Sequence, residues 1–517
     1  MSLKSLTIGT LAPSFGLTAI LNAIGLNYEN AFNQQLTTES YSVIILENAD
    51  GISPHIRSAL VKFAEDGGSV LEITKKPRFY KAHKVVSTQR SYLTNSNHHP
   101  GFDRVSHIDL FGKCGLSQNT DSYFEGLLDF QTSGKGTFSF IGLDITSIWS
   151  PKSPRRKRFH SEHGIPPDEI VSPVSRSEII RLIETTLLEL HIRANLPMVS
   201  KWHSLTKAPV FAFRIDSDYG TQQSLQDILD LARAKELSLT WFLHVNAHKE
   251  WLDYFETFGD QELALHCFEH GTSTSKEKIL ADLQKGNALL KAADIETKGF
   301  AAPYGIWSDG LKQSLSEFER SYSSEFTAGY EGVPYELELN EGHTLLQIPM
   351  HPICTGSLSR RKYTSATMKK YFDQVIETTL ALQQPLILYH HPLQPGLDVV
   401  EHIFNRVTEL GFKNLTFQEY ADFWQTRSQF QFKAHYSNNK IHIDSNSSSQ
   451  VLLKVSNSHL GFDLIDALGK TFELVPTSTF KYGEPSLPSP KEVRSLHSQK
   501  LRLLKTSIYD WKNRNRL

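Results

Sequence analysis

The chain of 517 residues carries 54 basic and 56 acidic side chains, a formal net charge of -2, with 39% hydrophobic and 21% charged residues. That balance excludes a chain-wide nucleic-acid footprint, which needs a large excess of Lys and Arg, and the length exceeds what one hydrophobic core organises, so several domains are expected. Three widely spaced cysteines, Cys114, Cys267 and Cys354, exclude a disulfide framework and a paired-cysteine zinc site, and fit a reducing compartment.

The first thirty residues imitate an export signal, because Lys4 precedes a mostly apolar stretch, but Pro13, Ser14 and Gly16 interrupt it. A strand, a turn and a helix are expected there, and a cytoplasmic location, with membrane association as an alternative, is the expectation. Residues 1–150 alternate short apolar runs with helical patterns, the order of a parallel α/β layer. The clearest helix starts at Ser53 and Pro54, repeats Ile56, Leu60 and Phe63 at helical spacing, and stops at Gly67 and Gly68. This exposed strand, helix and "GG" turn resemble the glutamine-amidotransferase-like α/β domain. That resemblance implies a nucleophilic cysteine after the next strand, but Lys75 and Lys76 follow "SVLEIT" here. Cys114 is the only thiol in this half and is read as structural, so a non-catalytic scaffold or binding domain is expected. Residues 151–204 read as an exposed linker, with Arg155, Arg156, Lys157 and Arg158 in solvent, followed by the helix "SRSEIIRLIETTLLELHIRANL".

Residues 205–425 return to an α/β pattern, and chemistry gathers at the C-terminal ends of the strands, where the loops of parallel sheets converge. "VFAFRID" ends in Asp216 and Asp218, which a period of two aims to one side. "ELALHCFEHGT" supplies His266 and His270, whose spacing of four puts both imidazoles on one face if the segment turns helical. Two histidines and a carboxylate suit a divalent metal site with open positions for water and substrate.

In this order the motifs resemble the polysaccharide deacetylase family, the NodB-homology group of carbohydrate esterase family 4. The fold so implied is a distorted (β/α) barrel. By that resemblance Asp216 is the general base, Asp218, His266 and His270 hold the metal, expected to be Zn²⁺, and a histidine ending the last strand is the acid. "PLILYHHPLQPG" offers two, and the proline-adjacent His391 is favoured over His390. "GFAAPYGIW" keeps Pro303, Tyr304, Gly305 and Trp307, with Tyr304 and Trp307 as substrate contacts, but has Ala301 where the family arginine stands. Three consequences are open at this point: Arg214 substitutes, the base is tuned otherwise, or activity is weak. His351 in "HPICTG" is a further candidate for the cleft. The resemblance implies hydrolysis of an N-acetyl group from an amino sugar in a glycan or its precursor. A weakly catalytic carbohydrate-binding or assembly protein and a non-sugar amide hydrolase are the alternatives.

Short alternating runs at 430–482 predict a small β-rich module. The tail, 490–517, places Val493, Leu496, Leu503, Leu504, Ile508 and Trp511 along one stripe and Lys491, Arg494, Lys500, Arg502, Lys505, Lys512, Arg514 and Arg516 around it. It is expected to be an amphipathic helix, packed on the protein's own surface or lying on an anionic membrane.

Overall fold

Strands of the first region are short, continuous apolar runs, the pattern of parallel strands covered on both faces. The computed structural model describes residues 3–47, 52–96, 99, 101–150, 152–445, 451–468, 471–474, 478–498 and 503–508. They divide into two units, Met1–Ser150 with Val174–Lys207 and Phe423–Gly483, and Pro151–Pro173 with Ala208–Asp422 and Glu484–Leu517.

In the first unit, Tyr28–Asn30, Ile8–Leu11, Val43–Glu47, Ser69–Ile73 and Gly136–Ile141 lie side by side and parallel, with Leu128–Ser133 antiparallel at one edge. Helix Pro54–Glu65 starts where expected: Ser53 Oγ accepts from Ile56 N, and Pro54 occupies the first turn, where a missing N–H costs nothing. Gly67 follows at φ +108°, a backbone conformation that suits glycine. Cys114 is buried in the hairpin strand His107–Ser117, and burial pushes its thiol up to about 11, away from the thiolate that attack requires.

The β-rich stretch after 430 does not close on itself. Phe432–Ser437 and Lys440–Ser445 are completed by Lys4–Ser5 on one side and Thr471–Glu473 on the other. Leu452–Ser456 and Gly461–Asp466 are completed by Met198–Lys201 and Phe480–Lys481. Leu6, Leu196 and Val199 share one core with Phe432, Ile441 and Leu453. Helix Arg176–Arg193 belongs to this unit and is buried nearly all round, its Glu184 paired with Lys454 at 2.7 Å.

The second unit is built on a nine-stranded sheet. From Val210–Asp216 the chain steps in parallel through Thr240–His244, Glu262–Cys267, Gly299–Phe300 and Tyr322–Ser323. His343–Gln347 continues the sheet in parallel, and Tyr335–Asn340 closes that end antiparallel. The chain then returns to place Leu386–His390 on the opposite side of Val210–Asp216, against which Lys413–Asn414 also pairs. Among the described residues the two ends of this path do not pair, so the sheet is an open version of the expected distorted barrel. Strand order reverses at Val210–Asp216, and the C-terminal end of such a switch point is the usual ligand position in these sheets.

The basic run expected in a solvated loop is a strand. Arg155–Arg158 pairs antiparallel with Asp168–Val171, and Arg156 meets Asp168 at 2.7 Å. Arg361 also bridges Asp168, Arg360 bridges Glu169 at 3.0 Å, and Lys157 reaches the Tyr330 hydroxyl at 2.7 Å. The acidic pair at 168 and 169 answers the charge run across the ribbon. The tail packs on the same unit: helix Pro490–Ser498 buries Val493 and Leu496, and Ser507 accepts from Arg156 at 3.0 Å. Lys500, Arg502, Asp510, Trp511, Lys512, Arg514 and Arg516 lie outside the described residues. No helix among the described residues is long and apolar enough to cross a membrane.

Candidate active site

All seven residues of Val210–Asp216 are buried, so a charge on this strand survives only if it is paired. Arg214 and Asp216, two positions apart on one face, solve this together. Arg214 Nη2 donates to Asp216 Oδ2 at 2.7 Å, its Nε donates to Oδ1, and its Nη1 donates to the Ser324 carbonyl at 2.5 Å. The guanidinium also lies 4.8 Å from the centre of the Phe242 ring. Burial would raise the Asp216 carboxyl, but Arg214, helped by His266 and His391, holds it below the ordinary range. The brace on Asp216 thus comes from within its own strand. Ala301 contributes its backbone instead, its carbonyl lying 2.6 Å from His266 Nδ1.

Beyond the strand, Asp218 turns into the left-handed region at φ +42°, a conformation that costs a non-glycine residue about 1–3 kcal/mol. The turn aims its Oδ1 at His270 Nε2, 3.1 Å away, and at His266 Nε2, 3.5 Å away. Its Oδ2 lies 3.7 Å from His391 Nε2, which is also 3.8 Å from Asp216 Oδ2. Burial opposes the Asp218 charge, but His391, then His266 and His270, hold the carboxyl well below its usual value.

His266 and His270 are brought together without a helix. The strand ends at Cys267, and the following turn carries His270 back so that the two ring centres lie 5.2 Å apart. The carboxylate of Asp282 holds that turn by accepting from Phe268 N at 2.9 Å and Glu269 N at 2.7 Å. The condition of a helical turn is therefore not met, and one carboxylate does the work of a helix's hydrogen bonds.

These groups fit a metal ion on their own chemistry. His266 Nδ1 faces a carbonyl and must carry the proton of the neutral ring, which leaves the lone pair on Nε2. That lone pair points at Asp218 Oδ1, a buried carboxylate oxygen that makes no hydrogen bond. Two lone-pair bearers facing one another call for a positive charge between them, which a proton or a metal ion supplies. Ligand atoms of Asp218, His266 and His270 all lie within 4.8 Å of one another.

The two candidate acids separate along their strand. His390 turns inward, its Nδ1 3.0 Å from Thr355 Oγ1, and burial pushes it down to about 3. His391 faces the carboxylates. Burial disfavours its charged form, but Asp218, Cys354 and Asp216 outweigh that and raise it to about 10. Cys354, unmarked by any sequence motif, lies beside this ring, its Sγ 3.6 Å from Ser357 Oγ. Burial alone would raise its thiol, and His391 brings it down to about 7.

Tyr304, at φ +58° in a short turn, sets its ring 4.9 Å from that of His270. Trp307 is only 5% exposed, its amide donating to Thr327 Oγ1 at 2.6 Å, so it packs rather than presenting a face to a ligand. His351 is not gathered into the cluster: its two ring nitrogens are taken by Glu331 at 2.7 Å and Tyr371 at 3.0 Å. Sequence reasoning also missed Glu325, which accepts from Ala302 N at 2.9 Å and which burial pushes up to about 7 beside Arg214.

No family profile and no curated protein matches the sequence. Solved structures similar to part of it include a putative polysaccharide deacetylase from Mycobacterium smegmatis, at 18% identity and a TM-score of 0.38, covering 44% of this chain and 93% of that one. The peptidoglycan deacetylase PdaC of Bacillus subtilis matches at 15% identity and 0.31, covering 43% and 94%. A carbohydrate esterase family 4 pseudoenzyme from Bacillus anthracis matches at 19% and 0.31, covering 42% and 66%. At these scores the likeness by itself assigns no activity to the chain.

Proposed function

We propose that this protein is a metal-dependent hydrolase that removes an N-acetyl group from an amino sugar in a glycan or a glycan precursor. The observation that carries the reading is the convergence of His266 and His270 on Asp218 Oδ1, beside a second carboxylate braced by Arg214 and a histidine within 4 Å of both acids. Asp218, His266 and His270 would hold the divalent ion, for which Zn²⁺ suits the mixed nitrogen and oxygen donors. When bound, such an ion polarises an amide carbonyl and acidifies water. Arg214 keeps Asp216 ionised, so that it accepts the proton of the attacking water as the new C–O bond forms. His391, charged beside the two carboxylates, donates the Nε2 proton to the departing nitrogen as the C–N bond breaks, leaving acetate and a free amine. Tyr304, against His270, borders the place where the sugar would enter.

The test is acetate release from N-acetylglucosamine oligomers by Zn²⁺-loaded wild type and by Asp216→Asn. Release that requires metal and falls about 100-fold or more in the variant supports the reading. Metal bound without release from any N-acetylated sugar reassigns the chain to carbohydrate binding.

A further inference from the structure

We infer that His244 is a positioning residue that holds the Asp218 turn in shape for the metal, an inference that rests on the metal reading above. Strand Thr240–His244 lies next to Val210–Asp216, and its last residue reaches across to the turn that follows Asp216. His244 Nδ1 lies 2.9 Å from the Asp218 carbonyl. A carbonyl only accepts, so Nδ1 carries the proton and donates it. The backbone N–H of His244 donates to Ser217 Oγ at 2.9 Å, which leaves the serine hydroxyl free to donate to His248 Nε2 at 2.8 Å. Two consecutive residues of the turn are thereby tied to "HVNAH", one by its carbonyl and one by its hydroxyl.

The tie is made where it is needed. Asp218 stands at φ +42°, and such a conformation persists only when its surroundings over-determine it. Left to relax, the turn would swing the carboxylate away from His266 and His270. His244 is 2% exposed and its Nε2, though buried, makes no hydrogen bond. Burying an unpaired ring nitrogen is unfavourable, so packing alone does not account for a histidine here, while the bond to Asp218 does. Its ring stands between those of Tyr219, 4.8 Å away, and His270, 5.4 Å away, which fixes its orientation.

The experiment measures Zn²⁺ affinity of the full-length chain by competition with a chromophoric chelator, for wild type, His244→Asn and His244→Gln. Asparagine places an amide N–H near the position of Nδ1, whereas glutamine places it near Nε2. Both variants remain polar and of similar size. The expected result is a Kd within about threefold of wild type for His244→Asn and a rise of about 10- to 100-fold for His244→Gln, the range that outer partners of a metal ligand command. Thermal unfolding of the metal-free forms separates folding from positioning, and His244→Ala should match His244→Gln in affinity. Equal affinities across all variants would overturn the positioning role while leaving the metal site standing. A wild type that binds no Zn²⁺ would overturn the metal reading itself, whatever the variants do.

Discussion

Both units place charged side chains at the C-terminal edge of a parallel sheet, yet among the described residues the two edges are satisfied differently. In the first unit, Ser14 Oγ and N donate to the two oxygens of Glu47 at 2.8 Å each, while Asp144 accepts from Ser147 N at 3.1 Å and pairs with Lys75 at 2.6 Å. Each oxygen of these two carboxylates has a donor. In the second unit, Asp218 Oδ1 makes no hydrogen bond and faces the Nε2 atoms of two histidines. The same architecture therefore yields a self-neutralised edge in one place and a cation-seeking edge in the other. What separates them is the donor set at the strand ends, not the layer of strands beneath.

The comparison breaks first at the metal ligands. Asp218→Ala, His266→Ala or His270→Ala should each weaken Zn²⁺ binding about 100-fold or more and abolish acetate release, whereas Lys75→Met should leave metal content unchanged. Metal analysis of purified protein checks both halves, and normal occupancy in the three ligand variants sinks the assignment. Next comes Arg214→Met, which strands a buried carboxylate. A loss of about 3–5 kcal/mol in unfolding free energy is expected, with turnover failing as Asp216 loses its brace. Denaturant unfolding and acetate release read the two effects, and wild-type values for both would show that the arginine does not substitute for the missing one.

His391→Ala should lower turnover about 100-fold while His390→Ala leaves turnover near wild type. The reverse ranking would move the acid to the inward-facing residue. The smallest effect concerns pH. His390 is pushed down to about 3 by burial, so the folded form keeps it neutral while the unfolded chain takes up a proton near 6.5. Its contribution is fully present above pH 6.5 and is lost as pH falls towards 3. His390→Asn should therefore narrow the stability gap between pH 7 and pH 5 by about 1–2 kcal/mol. Denaturant midpoints at the two pH values test it, and an unchanged gap would mean that the ring titrates normally.

Much of the site was legible because motif and strand end coincide. Asp216, Asp218, His266, His270 and the pair at 390 and 391 all close apolar runs, and a strand's last residues are where a parallel sheet exposes chemistry. The helix at Pro54–Glu65 was equally legible, since Ser53, Pro54 and Gly67 mark its ends by local chemistry. Other features were not legible at all. The supports of the Asp218 turn come from "HVNAH", a segment that reads as the end of a buried strand until the neighbouring strand is known. The strand Arg155–Arg158 looked like a loop because its acidic complement stands ten and more residues away, across a ribbon. Strands Lys4–Ser5 and Met198–Lys201 join sheets whose other members lie beyond residue 430.

By itself, then, the sequence determined where Asp216, Asp218, His266, His270, His390 and His391 stand relative to apolar runs, where helix Pro54–Glu65 begins and ends, and that the central region alternates strands and helices. Those follow from interactions within a few residues: periodicity, caps and turns. The tertiary structure decided among the alternatives that the sequence left open, pairing Arg214 with Asp216 and turning His391 toward the acids and His390 inward, and it alone kept His351 and Trp307 out of the cluster. Those outcomes depend on which strands become neighbours and which way each side chain leaves its strand, and that is set by long-range pairing, to which local pattern is blind.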